Sequence, residues 1–112
     1  MNREKDYNIS LLADIYGGLL TQKQLSILRD YYDYDYSLAE LSEKYGITRQ
    51  TAYGCINSAK KSLIKFENEM EVLCRQKQLG EYLNELEKSG VSESGKQIIK
   101  KIKDSLFRQP EQ

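Results

Sequence analysis

The 112-residue chain has no histidine and no tryptophan, one proline and two cysteines. Each shortage excludes something. Without histidine there is no imidazole catalysis, and a zinc site would need Cys55, Cys74 and carboxylates alone. The two cysteines lie in apolar-periodic segments with no C-x-x-C spacing. They read as reduced packing residues in a reducing compartment rather than as a metal clip or disulfide. No apolar run approaches the length that crosses a bilayer, and "MNREKDYNIS" lacks the apolar stretch of a signal peptide. The expected location is therefore the cytoplasm, with no membrane contact. A phosphate-binding G-x-x-x-x-G-K-[ST] loop and a nucleophile elbow are also missing. Carboxylate pairs such as Glu40 with Glu43, or Glu67 with Glu71, fall at helical spacing on solvated faces. No catalysis, cofactor or metal is expected.

An excess of either charge sign is lacking as well: 17 basic residues face 17 acidic ones. Nucleic-acid binders are usually basic overall, because neutralising phosphates supplies much of their affinity. Here the charge is blocked instead. Residues 1–47 and 66–95 are net acidic, and Lys96 to Arg108 is basic. Between Thr48 and Lys65 stand Arg49, Lys60, Lys61 and Lys65 and no acid.

What is present is helical periodicity. Ile9, Leu12, Ile15, Tyr16 and Leu19 predict a first helix from about Tyr7 to Tyr16, closed by Gly17 and Gly18. Thr21 with Gln24 forms a capping box for a second helix whose stripe is Leu25, Leu28 and Tyr31 or Tyr32. "YYDYDY" reads as the end of that helix plus a short connection, since alternating aspartates favour turns. Ser37 with Glu40 makes a second capping box for a third helix, with Leu38 and Leu41 turned inward. Ala52, Ile56, Ala59, Leu63, Phe66, Met70 and Leu73 recur at three- and four-residue steps and predict about seven turns of continuous helix from Arg49. Leu79, Tyr82, Leu83 and Leu86 add another stripe, ended at Gly90. Ile98, Ile99, Ile102, Leu106 and Phe107 give the last helix an apolar face opposite Lys96, Lys100, Lys101 and Lys103.

The informative stretch is "EKYGITRQTAYG", residues 43–54. A short helix ends at Tyr45, Gly46 takes a backbone angle other residues resist, Ile47 returns to the core and Thr48 caps the next helix. That is the helix-turn-helix pattern, whose second helix enters the major groove. Positions off the core phase at its start are Arg49, Gln50, Tyr53, Gly54 and Asn57, with Thr48 at the cap, Thr51 and Lys61 near phosphates, and Lys60 as a further nucleic-acid-binding candidate. Arginine can bond guanine's acceptors in pairs, and glutamine or asparagine can do so for adenine. The same corner also serves as plain scaffold in helical domains. An apolar seam from Leu63 to Leu73 could pair two copies or pack on its own chain; a homodimer is the expectation.

"SLAELSEKYGITRQTAYGCINSAKKSLIKF" resembles the sigma-factor region that reads the promoter −35 element. "DIYGGLLTQKQ", "YYDYDYSLAELSEKYGITRQTAY" and "INSAKKSLIKFENEM" are similar to the YlxM family of helix-turn-helix proteins, over Tyr7 to about Leu86. The resemblance implies an all-α fold, sigma region 4-like or winged-helix-like, with a long central helix and a C-terminal helical extension. It also implies a regulatory role linked to the signal recognition particle. Thr48, Arg49, Gln50 and Tyr53 match that family's recognition-helix start, and the chain departs from its pattern at Gly54 and Cys55. The expected domains are a helix-turn-helix domain over 1–75 and a C-terminal helical segment over 76–112. The expected partner is DNA; the alternative is the signal recognition particle's GTPase or RNA, with the helix-turn-helix as scaffold.

Overall fold

A computed structural model describes residues 7–106, without the side chains of Tyr7 and Asn8. Six α-helices succeed one another: α1 Tyr7–Tyr16, α2 Gln22–Tyr32, α3 Leu38–Tyr45, α4 Arg49–Met70, α5 Val72–Lys88 and α6 Glu93–Leu106. There is no strand among the described residues, so the winged-helix alternative is not realised. The fold is an all-α helix-turn-helix. Phe107, expected on the last apolar face, and Arg108, expected in the basic tail, lie outside the described residues.

Local chemistry starts the helices as anticipated. Thr21 Oγ1 accepts from the Gln24 amide at 3.1 Å, and Gln24 Oε1 accepts from the Thr21 amide at 3.1 Å. Ser37 and Glu40 repeat the reciprocal box at 3.0 and 2.8 Å. Each box satisfies amides at a helix start that have no partner within the helix.

The chain divides into two compact units, 1–70 and 71–112. In the first, α4 packs against α1, α2 and α3. Its core holds Ile9, Leu12, Tyr16, Ile27, Leu28, Leu41, Ala52, Ile56, Ala59 and Leu63. Tyr16 ties α1 to α4, its hydroxyl donating to Glu67 Oε1 at 2.8 Å and its ring lying 6.0 Å from that of Phe66. Leu25 packs close against Gly17 at the α1–α2 corner: a Cβ there would stand 2.9 Å from Leu25 Cδ1, so a larger residue would make that side chain shift.

Three expectations are corrected. Leu19 is 61% exposed rather than on the α1 stripe. Gly17–Leu19 form a separate 3-10 turn after α1 has ended at Tyr16, so the α1 periodicity does not extend to Leu19. Ile27, absent from the expected α2 stripe, is fully buried, because α2 has neighbours in α1, α3 and α4 and therefore more than one covered face. Last, the long helix does not run through Leu73. Glu71 takes left-handed backbone (φ 55°), ending α4 after 22 residues, about six turns. The Leu63–Leu73 seam is thus no single helical stripe, and Leu63 is spent in its own core at 0% exposure.

In the second unit α5 and α6 pack together as a hairpin. Gln76 Nε2 donates to the Leu106 carbonyl at 2.7 Å, and Lys103 Nζ reaches Glu87 and Asn84 at 2.6 Å each. Ser92 Oγ accepts from the Gly95 amide at the start of α6.

Candidate nucleic-acid interface

The α3–α4 corner is built from backbone first. Gly46 adopts φ 64° and ψ 40°, the left-handed conformation that closes a helix. The Ile47 amide donates back to the Ser42 carbonyl at 3.1 Å, and Ser42 Oγ donates to the Ile47 carbonyl. Ser42 and Ile47 therefore lock the turn from both sides. Thr48 Oγ1 then accepts from the Thr51 amide at 3.0 Å and donates to Thr51 Oγ1 at 2.8 Å, starting α4.

The helix before the corner is braced from α2. Asp30, almost buried, accepts from Lys44 Nζ at 2.8 Å and from Tyr45 Oη at 2.6 Å. Its bond to Asp30 raises the Lys44 pKa, and burial, followed by the hydroxyl's own bond to Asp30, raises that of Tyr45. Across the α1–α2 contact Arg29 pairs with Asp14 at 2.6 Å, and within its own helix end it pairs with Asp33, four residues on, at 2.9 Å.

On α4, Ala52, Ile56, Ala59 and Leu63 are buried at four-, three- and four-residue steps. Gln50, Gly54, Asn57 and Lys61 repeat that rhythm on the opposite side. Gln50, Gly54 and Lys61 are exposed, and Asn57 is half-buried. Tyr53 flanks the line at 59% exposure. Thr48, Arg49 and Thr51 are exposed around the helix start, whereas Lys60 is half-buried to one side. All the residues singled out from sequence therefore cluster at the corner or along the adjoining half of α4, but they do not share one face. Gln50, Asn57 and Lys61 point away from the core, and Arg49 and Lys60 lie closer to its edge.

Two basic groups escaped the earlier set. Lys65, exposed one turn beyond Lys61, carries on the same outward side. Lys23, exposed in the first turn of α2, stands close enough that its charge acts on Cys55 of α4. Burial nevertheless dominates there and pushes the Cys55 thiol up. Lys65 was visible in the acid-free run. Lys23 carries no spacing signal, because only the packing of α2 on α4 brings it near. Among the described residues no group of three or more His, Cys, Asp or Glu could hold a metal ion, and no helix is long and apolar enough to cross a membrane.

A glycine corner, a capped second helix and a braced first helix define a helix-turn-helix protein. The chain belongs to the UPF0122 family, whose model, described as "Putative helix-turn-helix protein, YlxM / p13 like", matches residues 3–109. A UPF0122 protein of Desulforamulus reducens is 35% identical over 106 residues, covering 86% of this chain and 91% of its own length. One of Clostridium botulinum is 35% identical over 108 residues, covering 92% and 99%. One of Thermoanaerobacter sp. is 40% identical over 80 residues, covering 71% and 68%. No solved structure matches the chain.

Proposed function

We propose that this protein is a DNA-binding regulator that lays the first half of α4 in the major groove. The supporting observation is the outward line Gln50, Gly54, Asn57 and Lys61, opposite the buried line of the same helix and on a stretch without acid. Gln50 and Asn57 are the base readers, since an amide side chain presents a donor and an acceptor together. Arg49, Lys60, Lys61 and the amides at the start of α4 hold phosphates, and Thr48 and Thr51 keep that start in shape. Tyr53 contributes its ring at the groove edge, and side-chain-free Gly54 admits the helix close to the duplex. Few phosphates are held per copy, so a homodimer on two half-sites suits a specific operator.

Fluorescence anisotropy with promoter-like and random duplexes tests this. Four phosphates neutralised per copy, by Arg49, Lys60, Lys61 and Lys65, correspond to roughly a hundredfold loss of affinity between about 50 and 200 mM salt. Replacing both Arg49 and Lys61 by alanine abolishes measurable binding while circular dichroism stays unchanged. Undiminished retention of the folded double variant on DNA refutes the assignment.

One observation favours a second reading, an accessory factor that binds the GTPase or RNA of the signal recognition particle. The chain's net charge of zero limits unspecific attraction to DNA. Titrating the purified protein against genomic duplexes and against the particle's protein and RNA, over one salt series, separates the two. Binding to the particle alone reverses the preference.

A further inference from the structure

We propose that the α5–α6 hairpin is a self-association surface through which two copies of this chain pair face to face. This deepens the pairing of copies suggested above but does not depend on α4 binding DNA. Gly80 and Glu87 lie on the side of α5 turned towards α6: Gly80 is buried, and Glu87 accepts from Lys103. On α6 the corresponding residues are Ile99, which is buried, and Lys103. The residue before each of these is rotated by about 100° around its helix. Because the two helices of a hairpin run antiparallel, that rotation carries it to the same side of the pair in both. Those preceding residues are Leu79, Leu86, Ile98 and Ile102, with Tyr82 beside them, and all five are 42–57% exposed. The residues that follow the inward positions fall on the other side: Glu81, Lys88, Lys100 and Asp104, all exposed and charged. The hairpin thus has one apolar face and one charged face.

A second copy is the occupant that suits this face. No charge lies between Leu79, Leu86, Ile98 and Ile102; Arg75, which precedes the inward Gln76 and so ends the row on the same side, is paired with Glu71 at 3.8 Å, so an identical face meets no ion left unpaired. The chain's net charge of zero sets up no long-range repulsion between copies. Area agrees. The 17 residues of α5 span about 25 Å and two adjacent helices about 20 Å, or roughly 500 Å² per copy. Roughly 1,000 Å² in total reaches the size that separates a biological contact from an adventitious one, at the weak, reversible end of the range. Two hairpins stacked on their apolar faces make a four-helix bundle, an arrangement that buries such stripes fully.

Sedimentation equilibrium of the full chain, without DNA, from about 1 to 100 µM is the test. The mass is expected to rise from 13.0 kDa to twice that value. Leu79→Glu combined with Leu86→Glu holds it at the monomer value with helical content unchanged. Ile98→Lys, on the other helix, does the same and guards against a folding defect in the first variant. Glu81→Ala, on the charged face, still pairs. Wild-type protein that stays at 13.0 kDa at the top concentration overturns the proposal. So does continued pairing of the folded apolar-face variants. Either result assigns the face to another occupant, and neither bears on α4, whose DNA contact is read separately by anisotropy.

Discussion

The Lys44 ammonium of α3 lies 2.8 Å from the nearly buried carboxylate of Asp30 in α2. That carboxylate also accepts the Tyr45 hydroxyl, so one α2 side chain holds the last two residues of α3, just before Gly46. The ring of Tyr36 lies under the same ammonium at 4.9 Å. The approach to the corner is thereby fixed from outside the helix-turn-helix segment. Asp30→Ala leaves a part-buried hydroxyl without its acceptor and is expected to cost about 1–3 kcal/mol in urea denaturation. Asp30→Asn keeps an acceptor for Tyr45 and loses less. Equal losses in both variants would show that the charge itself dominates.

Gly46 has open space around the position of a Cβ but a positive φ. Gly46→Ala therefore introduces no clash, only backbone strain of about 1–2 kcal/mol. Asparagine, which tolerates left-handed backbone better, is expected to cost less than alanine at this site. Thermal unfolding of the two variants gives the order.

Gly54 differs. It sits inside α4 with a negative φ and nothing within 4 Å of a built Cβ. Gly54→Ala is expected to stabilise the chain by up to about 1 kcal/mol, since alanine is the better helix former. If α4 approaches DNA closely at this point, the same variant binds duplex more weakly. Higher stability with weaker binding separates a contact role from a folding role. Unchanged affinity removes Gly54 from the interface.

Glu40 provides a pH signature. The Ser37 amide, donating to its carboxylate, holds its pKa below the ordinary 4.5. A carboxylate whose pKa is lowered on folding contributes stability that is present above the ordinary value and is lost as pH falls through the folded one. Glu40→Gln keeps an acceptor for the Ser37 amide but does not titrate. The stability gap between wild type and variant is therefore expected to narrow below about pH 4.5 in melts recorded across the acid range. A gap independent of pH contradicts this account of the capping box.

Much of the first unit is readable before folding because its signals are local. A capping box needs two residues three apart, and both boxes form as their spacing predicts. Gly46 and Thr48 mark the corner for the same reason: each acts on amides or torsions within a few residues of itself. The buried line Ala52–Ile56–Ala59–Leu63 follows from helical periodicity, and its opposite face is then determined too.

Tertiary contact settled the rest. Glu71 is a good helix former in the middle of an apolar period, and nothing in its neighbours announces a left-handed break. The same period that suggested a pairing seam could not tell whether Leu63 meets another copy or its own α1–α3, and it meets its own. Asp30, Lys44 and Tyr45 come together, and Lys23 comes near Cys55, only once α2 lies against α3 and α4. Sequence alone determined where the helices begin and how the chain turns at Gly46, because hydrogen bonds and torsions within a few residues decide those features. Which apolar faces are consumed and which charges converge depended on three-dimensional packing, because burial and Coulomb interactions follow distance in space, not separation along the chain.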